Sequence, residues 1–214
     1  MSRFLDLVNE RVVVFDGATG TNLQELGLTV DDFGGPELEG CTDILSVTRP
    51  DVIADLHESF FRAGSDVVET NSFGAFAVPL GEYAIPERAH EISLASARVA
   101  REVADGYGGF VAGSMGPGTK SPSLGQIGFV ELRDAYEDMA RGLIEGGVDL
   151  LITETHFDLL AAKAAVIGAR RAMAALGTTV PIQLQVTMEQ TGTMLLGSEI
   201  GAALASLAAL KPDI

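Results

Sequence analysis

The chain has 214 residues but only one cysteine, Cys41, and no tryptophan. A lone cysteine excludes an internal disulfide, and it also excludes a metal site built from two or more cysteines of this chain. Basic residues are few as well, with 14 Lys and Arg against 30 Asp and Glu, so the formal net charge is -16. Nucleic-acid binding requires a basic surface, and this charge argues against it.

Long hydrophobic runs are also missing, since none approaches the roughly 18 residues that a membrane-spanning helix needs. The start of the chain lacks the charged-then-apolar form of a signal peptide. These absences predict a cytoplasmic protein with no membrane partner. The 47% of hydrophobic residues suffice for one sizeable core. No linker or low-complexity tract interrupts the chain, so we expect one domain over residues 1–214.

Short, β-branched apolar runs alternate with helical patterns along the chain. Such runs are typical of parallel strands that are covered on both faces. They are Val12 to Phe15, Val67 to Glu69, Phe110 to Gly113, Leu150 to Thr153 and Ile182 to Val186, and a sixth run begins at Pro212. The alternation predicts an α/β fold, which leaves a doubly wound open sheet or a closed (β/α)₈ barrel. Length and composition alone favour the open sheet, because a barrel needs about 250 residues.

One pattern occurs twice, and it shifts the balance towards the barrel. A glycine, an aspartate and an apolar run precede Glu69-Thr70, and the same order precedes Glu154-Thr155. Each glutamate therefore stands at the carboxyl end of a predicted strand. In a repeating β/α architecture this end of the strands carries the chemistry. Polar groups recur at the ends of successive strands, whereas an open sheet would concentrate them at one switch point.

Glycine-rich loops follow two of the strands. The segment Asp16 to Thr21 could offer backbone N–H groups to a carboxylate or phosphate, although a plain strand-to-helix turn explains it equally well. It lacks a phosphate-loop lysine, so nucleotide binding is poorly supported. The segment Gly113 to Gly118 predicts an open loop that passes close to a ligand. The long non-periodic stretches 27–47 and 114–128 are predicted loops.

Glu154 is the sharpest single candidate, because a carboxylate after four apolar residues must be paired or hydrogen-bonded. It could bind an ammonium group, act as a base, or form an ion pair with an internal arginine. Glu69 is a second candidate, and His156 is a third because it lies at the same strand end. His57 and His90 are interpreted as structural. No His, Cys and Asp spacing resembles a metal site.

Five segments together resemble the zinc-dependent homocysteine S-methyltransferase family, in order and in spacing. The form Glu69-Thr70-Asn71-x-Phe73 favours its cobalamin-dependent branch, the homocysteine-binding module of methionine synthase, over the S-methylmethionine-using and betaine-using branches. The segments are Asp16 to Thr21, Glu69 to Phe73, Gly113 to Pro117, Glu154 to Asp158 and Thr191 to Gly197.

The resemblance implies a (β/α)₈ TIM barrel, of which this chain would form the N-terminal part, about five βα units and the start of a sixth strand. The family holds its zinc with three cysteines, one after the sixth strand and two near the eighth. All three would lie beyond Ile214, so we expect no metal ligand in this chain. We also expect a fragment of a longer protein, which lacks turnover and tends to self-associate through exposed strand edges.

The resemblance further implies a reaction and a set of roles. The complete enzyme would transfer a methyl group from methylcobalamin, ultimately from methyltetrahydrofolate, to zinc-activated L-homocysteine and so form methionine. Its partners would be the cobalamin and folate modules. Glu154 and Asp16 would hold the substrate ammonium group. The remaining substrate-binding residues would be Gly17, Ala18 and Thr19, through their backbone, and Asn71 and Ser114.

Two other readings remain open at this point. One is a metal-free TIM-barrel lyase or aldolase that uses Glu154 as a base with Lys163 as its partner. Lys163 stands nine residues further along, within a predicted helix, which argues against that pairing. The other is a protein that is inert or only binds a ligand.

Overall fold

The computed structural model describes residues 2–214. Its strands are β1 (Val67–Glu69), β2 (Phe110–Met115), β3 (Leu150–His156) and β4 (Ile182–Val186). The α-helices α1 to α10 span Arg3–Glu10, Thr19–Glu25, Val30–Phe33, Leu45–Thr48, Pro50–Ala63, Ala77–Leu80, Ala89–Tyr107, Phe129–Glu145, Leu159–Leu176 and Ile200–Ala208. Short 3₁₀ turns occupy Pro36–Leu38, Thr42–Ile44, Gly81–Tyr83 and Pro86–Arg88.

The long helices begin and end at recognisable signals. Helix α5 begins at Pro50, and Gly64 beyond its end has a φ of 106°, a left-handed conformation that suits glycine. Helix α9 begins after Asp158, whose carboxylate accepts a hydrogen bond from the backbone N–H of Leu160. It ends before Gly177, with a φ of 64°.

No helix in residues 2–214 combines the length and the apolar character that crossing a membrane requires.

The four strands form one parallel sheet, as the alternation of strands and helices predicted, and their order is β1-β2-β3-β4. The register pairs Val67 with Phe110, and Ala112 with Leu150. Each strand is therefore a direct neighbour of the next in the chain, with a helical connection between them. This is the arrangement of a β/α barrel wall, not of a doubly wound sheet, in which the strand order reverses.

The two faces of the sheet carry separate hydrophobic clusters. The smaller cluster consists of Phe4, Val67, Phe110, Ala112, Leu150 and Ile152. Helix α1 closes this face, because the ring of Phe4 meets those of Phe15 and Phe110 edge-on, with centroids 6.3 and 5.6 Å away. The larger cluster lies on the opposite face, where α5, α7, α8 and α9 pack. Alternate residues along each strand therefore point to the inner face that α1 closes.

The predicted first strand, Val12 to Phe15, is only partly confirmed. Phe15 forms one parallel bridge with Val67, and Val14 accepts hydrogen bonds from the N–H groups of Asp66 and Val67. The segment lies at the edge of the sheet and has no strand on its other side in residues 2–214. The expectation that it is buried on both faces is wrong, since Val12 is 83% and Val14 49% exposed.

The run that begins at Pro212 lies beside β4. The N–H of Asp213 donates to the carbonyl of Ile182 at 2.9 Å, and the carbonyl of Ile214 accepts from the N–H of Leu184 at 3.0 Å.

The prediction that residues 27–47 form a loop is only partly correct. The segment contains α3, part of α4 and two 3₁₀ turns. These short turns bring the segment back against the strand ends, next to the loop that follows β1.

Candidate functional site

Three polar side chains continue the inner face of the sheet at its carboxyl edge. Glu69, Ser114 and Glu154 each stand two residues beyond a member of the inner hydrophobic cluster. Because side chains alternate along a strand, all three lie on the same face as that cluster. The repeated pattern that singled out the two glutamates in the sequence thus corresponds to equivalent positions at the ends of β1 and β3.

Asp16 joins these residues from the edge of the sheet. Its backbone N–H donates to the carbonyl of Val67 at 3.0 Å, which fixes the chain immediately after Phe15. Its Oδ2 accepts a hydrogen bond of 3.0 Å from the backbone N–H of Glu69. The Asp16 carboxylate is therefore held at the end of β1, beside the Glu69 side chain.

A cavity of about 440 Å³ opens at this edge and brings the predicted residues together. Every residue predicted to bind substrate lines it, as does Glu69. The full lining consists of Asp16, Gly17, Ala18, Thr19, Gly20, Thr42, Asp43, Glu69, Thr70, Asn71, Ser72, Phe73, Ser114 and Glu154. No lysine, arginine or histidine is among these residues, so the pocket is strongly acidic.

Hydrogen bonds hold Glu154 and the neighbouring loop in place. The Ser114 hydroxyl donates to Oε1 of Glu154 at 2.6 Å. The hydroxyl groups of Thr70 and Ser72 lie 2.6 Å apart, and Ser72 also donates to the carbonyl of Ser114 at 2.8 Å. The loop after β1 is thereby joined to the end of β2 in the pocket wall.

Burial and mutual repulsion change the acidity of two pocket carboxyl groups. Burial, with a smaller contribution from the charge of Glu154, raises the pKa of Asp16 to about 7. Burial and the charges of Glu154 and Asp16 raise the pKa of Glu69 to about 8. Near neutral pH Asp16 and Glu69 therefore retain protons that solvent-exposed carboxyl groups would have lost. A cation that enters the pocket would relieve the same repulsion.

Asp43 also lines the pocket, from the predicted loop 27–47, and was not among the residues predicted from the sequence. Its Oδ1 accepts a hydrogen bond of 2.9 Å from the backbone N–H of Gly74. Burial raises the pKa of Asp43 to about 6, although that hydrogen bond opposes the change. Asn71 holds the same loop in place, because its Nδ2 donates a hydrogen bond to the carbonyl of Thr42 at 2.8 Å. The only feature of the sequence that could have indicated Asp43 is the presence of a carboxylate in a long segment that follows a strand.

The backbone is strained immediately after Glu154. Thr155 has a φ of 59°, a conformation in which a β-branched residue costs roughly 1–2 kcal/mol. The register with β4 is interrupted at this point, between Thr153 and His156. Glu154 lies before this irregularity and lines the pocket. His156 lies after it and is fully buried against Tyr136. Strain of this kind is common at functional sites, where the surrounding structure maintains it.

His156 does not line the pocket. It is fully buried and packs against the ring of Tyr136, with ring centroids 6.2 Å apart. Burial lowers the pKa of His156 to about 4, so the side chain is neutral at physiological pH. His57 is also buried, with a pKa lowered by burial to about 4, which agrees with its structural interpretation. Lys163 lies in α9 and is likewise not among the lining residues.

The side chains of the described region do not fit a zinc centre. No group of three or more His, Cys, Asp or Glu within residues 2–214 could hold a metal ion. Burial and the charge of Asp43 raise the pKa of Cys41 to about 11, so its thiol is protonated at neutral pH, whereas zinc binds thiolate. The acidic lining of the pocket suits a cationic group.

The sequence is similar to those of known proteins. A sequence profile for the family described as homocysteine S-methyltransferase matches residues 13–214. The chain is 50% identical over 215 residues to methionine synthase from Mycobacterium tuberculosis (strain ATCC 25618 / H37Rv). It is 49% identical over 215 residues to methionine synthase from Mycobacterium leprae (strain TN). Each alignment covers 98% of this chain but only 18% of the relative.

Solved structures with the same fold are also known. The chain resembles the homocysteine methyltransferase MmuM from Escherichia coli in its metallated form, with a TM-score of 0.76 and 20% identity over 96% of this chain and 73% of the other. The oxidised form gives a TM-score of 0.75 and 19% identity, and the alignment covers 96% and 72% of the two chains. At these identities the likeness concerns the fold, and it confirms the predicted barrel-type α/β architecture.

Proposed function

The chain belongs to the homocysteine S-methyltransferase family, and we propose that it is the homocysteine-binding module of a methionine synthase. In this proposal residues 1–214 form one substrate-binding domain, and the pocket at the strand ends holds the amino-acid part of L-homocysteine. The chain spans 18% of the length of the methionine synthases that it matches. The activity of the whole enzyme is therefore proposed from these relatives and from the family.

The observation that carries the proposal is the acidic pocket without a cation of its own. Asp16, Glu69 and Glu154 converge there, and Ser114 orients Glu154 through a hydrogen bond of 2.6 Å. An ammonium group would supply the missing positive charge and make charge-assisted hydrogen bonds to Glu154 and Asp16. These bonds are stronger than those between neutral groups, so they would fix the orientation of an α-amino acid.

The remaining pocket residues suit the other parts of the substrate. Gly17, Ala18 and Thr19 line the pocket, and their backbone would face the substrate carboxylate. Asn71 and Ser114 would border the side chain of the amino acid. The pocket would thus distinguish an α-amino acid from a simple thiol, because only the amino acid carries both an ammonium group and a carboxylate on its α-carbon.

We propose that the complete enzyme transfers a methyl group from methylcobalamin, supplied ultimately by methyltetrahydrofolate, to the sulfur of homocysteine. The zinc that activates this sulfur in the family is assigned to parts of the enzyme other than residues 2–214, since those residues do not fit it. The cobalamin and folate modules are assigned in the same way, because the relatives are much longer than this chain. The role of this chain is to bind and orient the substrate.

A binding measurement tests the proposal. L-homocysteine is titrated into the 214-residue protein under reducing conditions in a calorimeter, and the double variant Asp16→Asn/Glu154→Gln is measured alongside. Loss of two charge-assisted hydrogen bonds should weaken binding by about 100-fold or more. The control is Glu131→Gln/Asp134→Asn, which removes two exposed carboxylates from α8. Equal affinity in the wild type and the pocket variant would refute the assignment.

A further inference from the structure

Phe73 is the only aromatic residue among the described residues that line the pocket. The other lining residues carry carboxylate, hydroxyl or amide groups, or are glycine or alanine. Ser72 and Ala75, close to it in the chain, are fully buried, whereas Phe73 is 46% exposed. A single exposed apolar side chain is common on protein surfaces. Phe73 differs because it lies in the wall of an otherwise polar cavity.

The backbone of Phe73 is held on both sides. Its carbonyl accepts a hydrogen bond of 3.0 Å from the N–H of Gly116. The N–H of the following residue, Gly74, donates to Oδ1 of Asp43 at 2.9 Å. Gly116 is fixed in turn, because its carbonyl accepts a hydrogen bond of 2.7 Å from the hydroxyl of the buried Tyr136. Contacts from three other segments of the chain therefore keep an apolar side chain at the pocket wall.

The ring of Phe73 lies against the backbone of Gly116. A Cβ atom at residue 116 would lie 2.8 Å from Cδ1 and Cε1 of the ring and 2.6 Å from the carbonyl oxygen of Phe73. Both distances are well below the optimal separation of non-bonded atoms, so a side chain at residue 116 would displace the ring. One side of the ring is thus packed on a glycine, and the exposed remainder of the residue lines the cavity.

The proposed function leaves one part of the amino acid without an apolar partner. Asp16 and Glu154 would hold its ammonium group, and the backbone of residues 17–19 its carboxylate. The side chain of homocysteine consists of two methylene groups and a sulfur atom, and its binding is favoured by contact with apolar surface. Sulfur also makes favourable contacts with aromatic rings. Phe73 has the largest apolar side chain in the lining.

The donor groups of Asn71 and Ser114 are already engaged. Nδ2 of Asn71 donates to the carbonyl of Thr42 at 2.8 Å and to the hydroxyl of Ser46 at 3.2 Å. The hydroxyl of Ser114 donates to the Glu154 carboxylate. Neither side chain has a free donor with which to select a polar ligand side chain over an apolar one.

We propose that Phe73 determines the specificity of the pocket for the side chain of the amino acid, because its ring packs against the carbon chain and the sulfur atom. This inference rests on the proposed function, since it assumes that the pocket holds the ammonium and carboxylate groups of an α-amino acid. Those two groups are common to all α-amino acids and give no preference among them. Phe73 supplies the preference for a linear apolar side chain over a single methyl group.

Two amino acids that differ only in side-chain length test the proposal. L-norvaline has the length of L-homocysteine without its thiol, and L-alanine ends at Cβ. Titration calorimetry, directly or in competition with L-homocysteine, gives the affinity of the 214-residue protein for each. One buried methylene group contributes about fourfold in affinity, so the wild type should prefer L-norvaline by roughly 10- to 20-fold. Phe73→Ala should reduce this preference to less than about threefold, and Phe73→Leu should retain at least about fivefold.

The ratio of the two affinities isolates the side-chain contact. A disturbance of the ammonium and carboxylate sites would weaken both ligands alike and leave the ratio unchanged. Leu124→Ala, which truncates an exposed side chain outside the pocket, should keep the wild-type ratio. A ratio for Phe73→Ala within twofold of the wild-type ratio would overturn the inference and leave the proposed function intact. A wild type that binds both ligands with equal affinity would have the same meaning.

A measurement on the wild type alone covers the case of a variant that fails to fold. In saturation-transfer NMR, irradiation of the aromatic protons of the protein should reach the terminal methyl group of L-norvaline more strongly than its α-proton. Phe73 is the aromatic residue of the described lining that can transfer this saturation. Stronger transfer to the α-proton would overturn the inference. Absence of binding of L-homocysteine, L-norvaline and L-alanine would overturn the proposed function together with it.

Discussion

The hydroxyl group of Ser114 lies 2.6 Å from Oε1 of Glu154, and the two residues belong to neighbouring strands, β2 and β3. This contact fixes the carboxylate that we propose receives the substrate ammonium group. It joins two strand ends that are 40 residues apart in the chain. The orientation of the site is therefore a property of the sheet register and not of either segment alone.

Replacing Ser114 by alanine should weaken the binding of L-homocysteine by about 10- to 100-fold, because a hydrogen bond to a charged group contributes roughly 1.5–3 kcal/mol. The fold should persist, since a small side chain is replaced by another. Calorimetric titration measures the change. Ser59→Ala, on the exposed side of α5, serves as the control and should leave the affinity unaltered. An affinity of Ser114→Ala within twofold of the wild type would show that this hydrogen bond does not orient Glu154 for binding.

Replacing Glu69 by glutamine should stabilise the protein, increasingly so as the pH rises. The pKa of Glu69 is raised from 4.5 to about 8 in the folded state, so the folded state binds more protons than the unfolded chain in that range. The stability of the wild type therefore falls as the pH rises from about 4.5 to about 8, and the variant lacks this loss. Urea denaturation at pH 5 and pH 8.5 should show nearly equal stabilities at pH 5 and an advantage of about 1–3 kcal/mol for the variant at pH 8.5. An advantage confined to pH 5 would contradict the sign of this effect.

Replacing Asp158 by asparagine should destabilise the protein by about 2–4 kcal/mol, since it breaks a buried network of hydrogen bonds. Its carboxylate accepts from the hydroxyl groups of Ser121 and Ser123 and from the N–H groups of Ser123 and Leu160. Burial opposes ionisation of Asp158, but these hydrogen bonds outweigh it and lower the pKa. Urea denaturation at neutral pH gives the difference. Asp134→Asn, whose partner Arg133 is on the surface of α8, should change stability by less than about 0.5 kcal/mol.

Two glycine-to-alanine substitutions in helices should have opposite effects. A Cβ atom at Gly168 in α9 would lie 2.6 Å from the carbonyl oxygen of Arg133 in α8, so Gly168→Ala should separate the helices and destabilise the protein by about 1–3 kcal/mol. A Cβ atom at Gly201 in α10 meets nothing within 4 Å. Gly201→Ala should therefore stabilise the protein by about 0.5–1 kcal/mol through helix propensity. Thermal denaturation of the wild type and both variants measures these changes in stability. A Gly168→Ala protein as stable as the wild type would contradict the close packing of α8 against α9.

Local patterns were sufficient to predict the strand-end glutamates. Glu69 and Glu154 follow apolar runs that are buried in any β/α arrangement, and the side-chain alternation of a strand determines which face they occupy. Position in a repeat therefore predicted where the two glutamates lie in the fold, without knowledge of the long-range contacts. The parallel sheet and the neighbouring order of its strands were predicted on the same basis.

Features that depend on contacts between distant segments were not predicted. Asp43 enters the pocket because Asn71 and Gly74 bind the loop before α4, and no periodicity in that loop indicates this. The strand-like composition of Val12 to Phe15 predicted burial on both faces, whereas the position of this segment at the sheet edge exposes Val12.

The most direct test of the proposed site is a crystal structure of this chain with L-homocysteine bound under reducing conditions. The proposal predicts ligand density in the cavity at the strand ends, with the ammonium nitrogen within about 3.2 Å of Glu154 and Asp16. The ligand carboxylate should face the backbone of Gly17, Ala18 and Thr19. Density at another place, or a ligand whose carboxylate faces Glu154, would contradict the assignment of this acidic pocket as the amino-acid site.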